Sequence, residues 1–338
     1  MTMNLLPSER LAEFRECLAA GARLYGPVEV DGIVLFEELG GRPPAIRPGN
    51  PANSLKSFLC PQTEAVFDFE GGYTDVALRV PAAPTAQAIF GVRPCDAVAL
   101  ERVSRVLLAE PFADESYRQR REMTTILTMA CREAGPHCFC RSVGVSPADG
   151  RGSDVVLYPA DGHYLLEAVT ARGLSVLQSA GAFLDPARDE AARATCQSTP
   201  VPLIGAVERE DLAARLEAVA LHPHWDELAR RCLGCGACTF LCPTCYCFAL
   251  FDTVRGARGR RSRGWDSCQF KDYSLMAGGH DPLPTKASRI RRRFLHKLSR
   301  FPAVQGEYAC VGCGRCGGTC PVGLHLAGVL SELEEVLR

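Results

Sequence analysis

The stretch Cys232-Leu-Gly-Cys-Gly-Ala-Cys-Thr-Phe-Leu-Cys-Pro243 returns at 310–321 as Cys-Val-Gly-Cys-Gly-Arg-Cys-Gly-Gly-Thr-Cys-Pro. Both copies spell C-x2-C-x2-C-x3-C-P. This spacing wraps three thiolates around one [4Fe–4S] cube and sends the fourth to a neighbouring cube. The proline ends the loop and opens the next helix. The pattern therefore predicts Cys232, Cys235, Cys238 and Cys320 on one cluster, and Cys310, Cys313, Cys316 and Cys242 on a second. Small residues at Gly234, Gly236, Ala237, Gly312, Gly314 and Gly317 let backbone amides approach the sulfurs. Structural zinc usually takes two CxxC pairs or a Cys/His mixture, and disulfide frameworks belong to oxidising compartments. Neither accounts for two complete copies of the motif.

The compartment expected is the cytoplasm. The N-terminal stretch "MTMNLLPSERLAEFRECLAAG" lacks a basic start followed by an apolar run. No window offers eighteen uninterrupted apolar residues, so no membrane span is expected. The net charge of −1 conceals an asymmetry, because residues 226–338 carry 17 Lys and Arg against 10 Asp and Glu. Such a basic half raises nucleic acid as a partner, but no nucleic-acid motif accompanies it. An anionic cube on four thiolates explains the excess cations better, since neighbouring positive charge raises its potential.

Organisation follows the hydrophobic pattern. "SERLAEFRECLAAG" has helical spacing and stops at Gly21, and "GGRPPAIRPGNPAN" reads as loop. Ala88–Val92 reads as a buried strand, Arg93-Pro94-Cys95 as a turn, and Ala97–Ala109 as a helix capped by Asp96. A second strand, Thr124–Ala130, runs into Cys131, and "SDVVLYPADGHYLLEAVT" reads as a hairpin turning at Asp161-Gly162. The segment between the two cysteine motifs reads as helix, including a basic amphipathic helix at 285–300, and "LHLAGVLSELEEVLR" closes the chain as another. The expected architecture is an N-terminal α/β domain, residues 1–222, fused to a C-terminal α-helical ferredoxin-like domain, residues 223–338, with two [4Fe–4S] clusters.

Ten cysteines lie outside the motifs. Cys17, Cys60 and Cys196 read as packed thiols, as do Cys245, Cys247 and Cys268 beside the first motif. Cys95, Cys131, Cys138 and Cys140 fall on two loops at one predicted sheet edge, where open α/β sheets gather their ligands. Four thiols suffice for a third [4Fe–4S] cube, with Asp96 as an alternative ligand. Two buried thiols and a metal-free CxC turn are the competing reading. His137 reads as a surface loop residue. No GxSxG, Walker A loop or strand-borne GxGxxG occurs, so no catalytic site of its own is expected.

Seven segments together carry a family resemblance: "SFLCPQTEAVFDF", "FGVRPCDAVAL", "CREAGPHCFCRSVGVSP", "RCLGCGACTFLCPTCYCF", "WDSC", "RRRFLHK" and "CVGCGRCGGTCPVGLHL". The chain resembles the iron–sulfur β subunit of cytosolic NAD(P)-linked nickel–iron hydrogenases, or sulfhydrogenases. It resembles equally the A subunit of anaerobic sulfite reductases. The resemblance implies a relay that passes single electrons, with FAD and NAD(P) on a partner subunit. The terminal chemistry would lie on nickel–iron small and large subunits, or on a sirohaem sulfite reductase subunit. It also carries metal binding over to the eight motif cysteines and to Cys95, Cys131, Cys138 and Cys140. A stand-alone iron–sulfur binding or sensing module is the rival of another class.

Overall fold

The computed structural model describes residues 3–72, 74–187, 191–204 and 211–333. Its twelve strands are β1 (Met3–Pro7), β2 (Arg23–Val30), β3 (Ile33–Glu38), β4 (Thr63–Gly71), β5 (Val76–Arg79), β6 (Gln87–Val92), β7 (Thr124–Met129), β8 (Val155–Ala160), β9 (His163–Ala168), β10 (Asp185–Pro186), β11 (Phe248–Arg255) and β12 (Arg258–Trp265). Strands β6 and β7 are buried along nearly their whole length because both of their faces are covered. They lie at the centre of an eight-stranded sheet of order β10-β1-β9-β8-β7-β6-β2-β3. β2, β6, β7 and β8 are parallel neighbours, and the outer pairs are antiparallel. On one face Phe90, Leu127, Met129 and Leu157 pack with Phe14 of the helix Leu11–Gly21. On the other, Ile89, Val92 and Ile126 pack with Ala97, Leu100 and Val103 of the helix Pro94–Leu107 and with Tyr117.

The hairpin at 155–168 turns at Asp161-Gly162 as its sequence suggests, Gly162 taking a φ of 79°. The helix after β6 differs from expectation. It starts at Pro94, not Ala97, since a first-turn proline has no amide to leave unpaired. Asp96 is thus inside the first turn and does not cap the helix.

The reading of helix between the cysteine motifs fails at Phe248–Trp265, which is an antiparallel hairpin with Phe248 opposite Trp265 and Asp252 opposite Arg261. Arginines at 258, 260, 261 and 263 lie on β12. Here they pair across strands, Arg261 with Asp252 and Arg260 with Asp68. β12 also pairs with β4, giving a second sheet of order β11-β12-β4-β5. Each side of the expected domain boundary contributes two strands to it. Helix returns at Lys286–Leu295, where Thr285 and Ser288 form a capping box. It continues through a wider π-type turn, His296–Arg300, into Phe301–Gln305. The closing helix spans Leu326–Leu333, and residues 334–338 of that expectation lie outside the described residues. One apolar core joins the two regions: Val98, Phe139 and Val145 pack with Trp225, Phe294, Leu298, Val311 and Leu330.

Candidate iron–sulfur centre

The two sequence copies are also two copies of one backbone shape. Gly234 and Gly312 take φ of 70° and 62°, and Gly236 and Gly314 take 73° and 78°. These left-handed positions favour glycine and curl each loop around its thiols. Each loop then enters a short helix, Ala237–Phe240 or Arg315–Thr319, and the two helices pack together. The amides of Gly234 and Gly312 donate to Cys232 Sγ and Cys310 Sγ at 3.3 and 3.4 Å, and Leu324 N–H donates to Cys320 Sγ at 3.2 Å. Such bonds stabilise a sulfur that carries negative charge.

The fourth cysteine of each motif leans toward the other copy. Cys242 raises the thiol pKa of Cys310 and Cys313, each already pushed up chiefly by burial, Cys310 to about 11. Cys320 acts on Arg231, next to Cys232. Cys238 feels Cys316 and Cys242 as well as Cys232, so the two sets adjoin. The thiol of Cys245 donates to Cys242, the largest influence holding that sulfur well below the ordinary thiol range.

Three buried cations surround these sulfurs. Arg293 and Lys297 are only 4% and 2% exposed, and Lys56 is 6% exposed. Lys56 Nζ reaches Thr239 O at 3.3 Å and sits 3.9 Å from the Trp265 ring centre. Lys297 Nζ donates to Thr244 Oγ1 at 2.8 Å and Arg293 to Cys238 O at 3.3 Å, while Arg293 Nε is buried without a partner. Among the described residues, none of the three has a carboxylate at ion-pair distance. An uncompensated buried charge is very costly. The sulfurs of Cys238, Cys242, Cys245, Cys310 and Cys316 are the groups within electrostatic reach of Arg293 and Lys297 that would supply counter-charge on losing their protons. A donor set of thiolates with buried cations and an unpaired Nε–H fits an anionic iron–sulfur group.

The N-terminal set converges as well. Cys95 opens the helix after β6, Cys131 follows β7, and Cys138 and Cys140 lie on the next loop. All four line one cavity, together with Asn50, Pro94 and Gly312. Burial pushes Cys140 up to about 12, with Cys131 and Cys138 adding to it. Cys95 is raised by burial, and among its neighbours are Cys140 and Cys313 of the second motif. The wall between this set and that motif is thin. Phe139 N–H donates to Gly312 O at 2.9 Å, Asn50 donates to Cys313 O at 2.9 Å, and the Cys95 thiol donates to Asn50 at 3.4 Å. A Cβ on Gly312 would meet Cys140 Cα at 2.4 Å, so only glycine permits this approach.

Asp96, expected as an alternative ligand, is engaged elsewhere. Its two oxygens accept from Arg315 at 2.6 and 2.7 Å in a fully buried pair, and Arg315 Nε also donates to Pro51 O at 2.8 Å. That clamp fastens the helix Pro94–Leu107 to the second motif. His137 is exposed and faces His325, with ring centres 6.1 Å apart. Cys60 and Cys196 are packed in apolar clusters, where burial raises their thiols to about 12 and about 11. Sequence reasoning missed the buried cations, the Asp96–Arg315 clamp and the Cys242–Cys245 bond. The run "RRRFLHK" held the only local signal, two cations on the apolar side of a helix. Among the described residues, no three His, Cys, Asp or Glu converge to hold a single metal ion.

Residues 231–324 match the family model of the 4Fe–4S dicluster domain. Over 346 aligned residues the chain is 30% identical to "Sulfhydrogenase 2 subunit beta" of Pyrococcus furiosus, with 98% of each chain covered. The chain belongs to the sulfhydrogenase beta-subunit family. As a sulfhydrogenase-type beta subunit it is an iron–sulfur electron-transfer subunit of a hydrogenase complex, carrying clusters of the 4Fe–4S type. No solved structure matches it. No helix among the described residues is long and apolar enough to cross a membrane.

Proposed function

We propose that this chain is a cytoplasmic wire of three cluster sites, with no active site of its own, between a partner subunit that binds FAD and NAD(P) and the nickel–iron small and large subunits. Cys232, Cys235, Cys238 and Cys320 would hold one cube, and Cys310, Cys313, Cys316 and Cys242 a second. Cys95, Cys131, Cys138 and Cys140 would hold a third, which extends the wire to the edge of the large sheet. A bound cube supplies one-electron redox chemistry over a span of roughly −700 to +450 mV. The chain's own residues set where in that span each site falls. The observation that carries this reading is the approach of the three sets. Between the third set and the second motif, Phe139 N–H donates to Gly312 O and Asn50 donates to Cys313 O. The short helices of the two motifs pack together, and Cys95 with Cys313, Cys313 with Cys242 and Cys238 with Cys316 influence each other's titration. Buried Arg293 and Lys297 flank the middle of the wire and favour the more negative, reduced state of a bound cluster.

Iron analysis of the anaerobically purified chain tests the count. About twelve irons per chain are expected, at four per cube, and about eight would remove the third site. Lys297→Met is expected to lower the potential of the nearest cluster. A unit charge at ~7 Å and an effective dielectric of ~20 is worth roughly 2.4 kcal/mol, or about 100 mV for one electron. Redox titration followed by electron paramagnetic resonance reads the shift. An unchanged or raised potential would contradict the role given to Lys297.

A further inference from the structure

The second sheet, of order β11-β12-β4-β5, ends on two exposed edge strands, and the two edges are not alike. β5 is four residues long and closes on Arg79. A short strand with a charge on it is a protected edge. β11 is eight residues long, contains no proline or lysine, and is exposed at every residue. Its Phe248, Leu250, Phe251 and Val254 are 41%, 57%, 45% and 58% exposed. Single exposed apolar side chains are ordinary. Four on one long edge strand form a template for another strand.

The hairpin register fixes which backbone groups are free. Asp266 N–H donates to Cys247 O at 3.0 Å, one step beyond the Phe248–Trp265 pair. Bonded and non-bonded pairs alternate along an antiparallel ladder. Phe248, Leu250, Asp252 and Val254 therefore turn their N–H and C=O groups away from β12, toward the open edge. One face of the sheet carries Leu250, Val254, Phe69 and Leu78, and the Phe69 ring lies so close over Gly259 that a Cβ there would meet it at 2.1 Å. The other face holds a groove of about 640 Å³ lined by Arg79, Arg255, Arg258, Arg260, Asp68 and Glu70. Arg258 pairs with Glu70 at 2.7 Å and Arg260 with Asp68 at 2.6 Å. Among the described residues, Arg79 and Arg255 have no carboxylate at ion-pair distance, so the groove is cationic.

We propose that β11 receives a fifth strand from another subunit of the hydrogenase complex, an extended segment that alternates apolar side chains with carboxylates. Its backbone pairs with the outward groups of Phe248, Leu250, Asp252 and Val254. Its apolar side chains continue the face of Leu250, Val254 and Phe69, and its carboxylates meet Arg255 on the other face. Arg79, two strands further in, contributes only to the sign of the field. A second copy of this chain fits less well, because antiparallel pairing of two β11 strands puts both arginine faces on one side with no carboxylate in excess. β11 leaves directly from the cysteine-rich loop at Cys247, and Trp265 opposite its first residue stands 6.2 Å from the ring of Phe240 in the first motif's helix. A segment seated here is anchored beside the cluster loops. The proposal goes beyond the relay reading and rests on this chain being one subunit of a complex, not on which cysteines hold iron.

Hydrogen–deuterium exchange over residues 248–255, read by mass spectrometry, compares the full chain alone with the assembled complex, both prepared anaerobically. In the chain alone, the outward amides of Phe248, Leu250, Asp252 and Val254 should exchange fast and those turned to β12 slowly. In the complex the outward set should slow by about tenfold or more. Exchange that is the same in both would overturn the proposal. So would outward amides already protected in the chain alone together with a dimer mass, which would make the occupant a second copy. Leu250→Pro removes one outward N–H and no bond to β12. That variant should keep its iron and its slow inward amides yet fail to co-purify with the other subunits, and normal assembly would overturn the proposal. Arg255→Glu should weaken assembly about tenfold at low ionic strength, a deficit that shrinks as salt is raised. The exchange comparison needs no variant, so it decides even where Leu250→Pro disturbs the hairpin. The iron count of the unaltered chain tests the three-site wire separately.

Discussion

Cys313→Ala is expected to remove about four irons per chain, one cube's worth, and to break transfer between the flavin partner and the terminal site. Cys313 interacts electrostatically with both Cys242 and Cys95, so the loss falls where the second and third sets meet. The flavin subunit should still be reduced by NAD(P)H, because that step precedes the break. Rapid-mixing absorbance separates the two events, with prompt flavin reduction and no onward bleaching of the clusters. Cys17→Ala, far from the motifs on the N-terminal helix, serves as the control and should retain both iron and transfer. A Cys313→Ala complex that couples flavin to the terminal site at the unaltered rate would show that the path runs elsewhere.

Asp96→Ala is expected to destabilise the fold by about 3–5 kcal/mol, the cost of stranding a buried partner charge. Arg315 is then left nearly inaccessible to water, with Pro51 O as its remaining acceptor. The pair joins two segments 219 residues apart, so its loss loosens the second motif against the helix Pro94–Leu107. Denaturant unfolding under anaerobic conditions measures the change. Asp96→Leu combined with Arg315→Met should restore most of it, because an apolar pair of similar volume carries no desolvation penalty. A cost below about 1 kcal/mol for Asp96→Ala would class the pair with weak surface bridges. Folded Asp96→Ala should keep its iron, which separates the clamp from the ligand role the sequence suggested.

How much of this was legible depends on the range of each interaction. The two motif loops and the 4Fe–4S dicluster domain they belong to were readable because such a loop is local: spacing, glycine and proline all fall within twelve residues. Cys95 and Cys131 could be placed at one sheet edge because β6 and β7 are short runs rich in apolar and β-branched residues that end just before them. Asp96 was misread for the opposite reason. Its neighbour Cys95 is visible in the sequence, but its true partner lies 219 residues away. β11 and β12 were missed because the segment between the motifs was read as helix throughout, whereas β12 is held by a distant strand, with Asp68 standing opposite Arg260 across 192 residues. Strand β1 was missed because five residues at the chain start offer too short a pattern, and only β9 and β10 on either side define it.

The mixed second sheet constrains when this protein can mature. β4 is held by β12, with Arg258 meeting Glu70 across 188 residues of sequence. During synthesis β4 and β5 must therefore wait, one edge bare, until the chain has emerged past Trp265. A fragment cut off ahead of the first motif would expose β12 as an unpaired edge prone to aggregation, and would make a poor miniature ferredoxin.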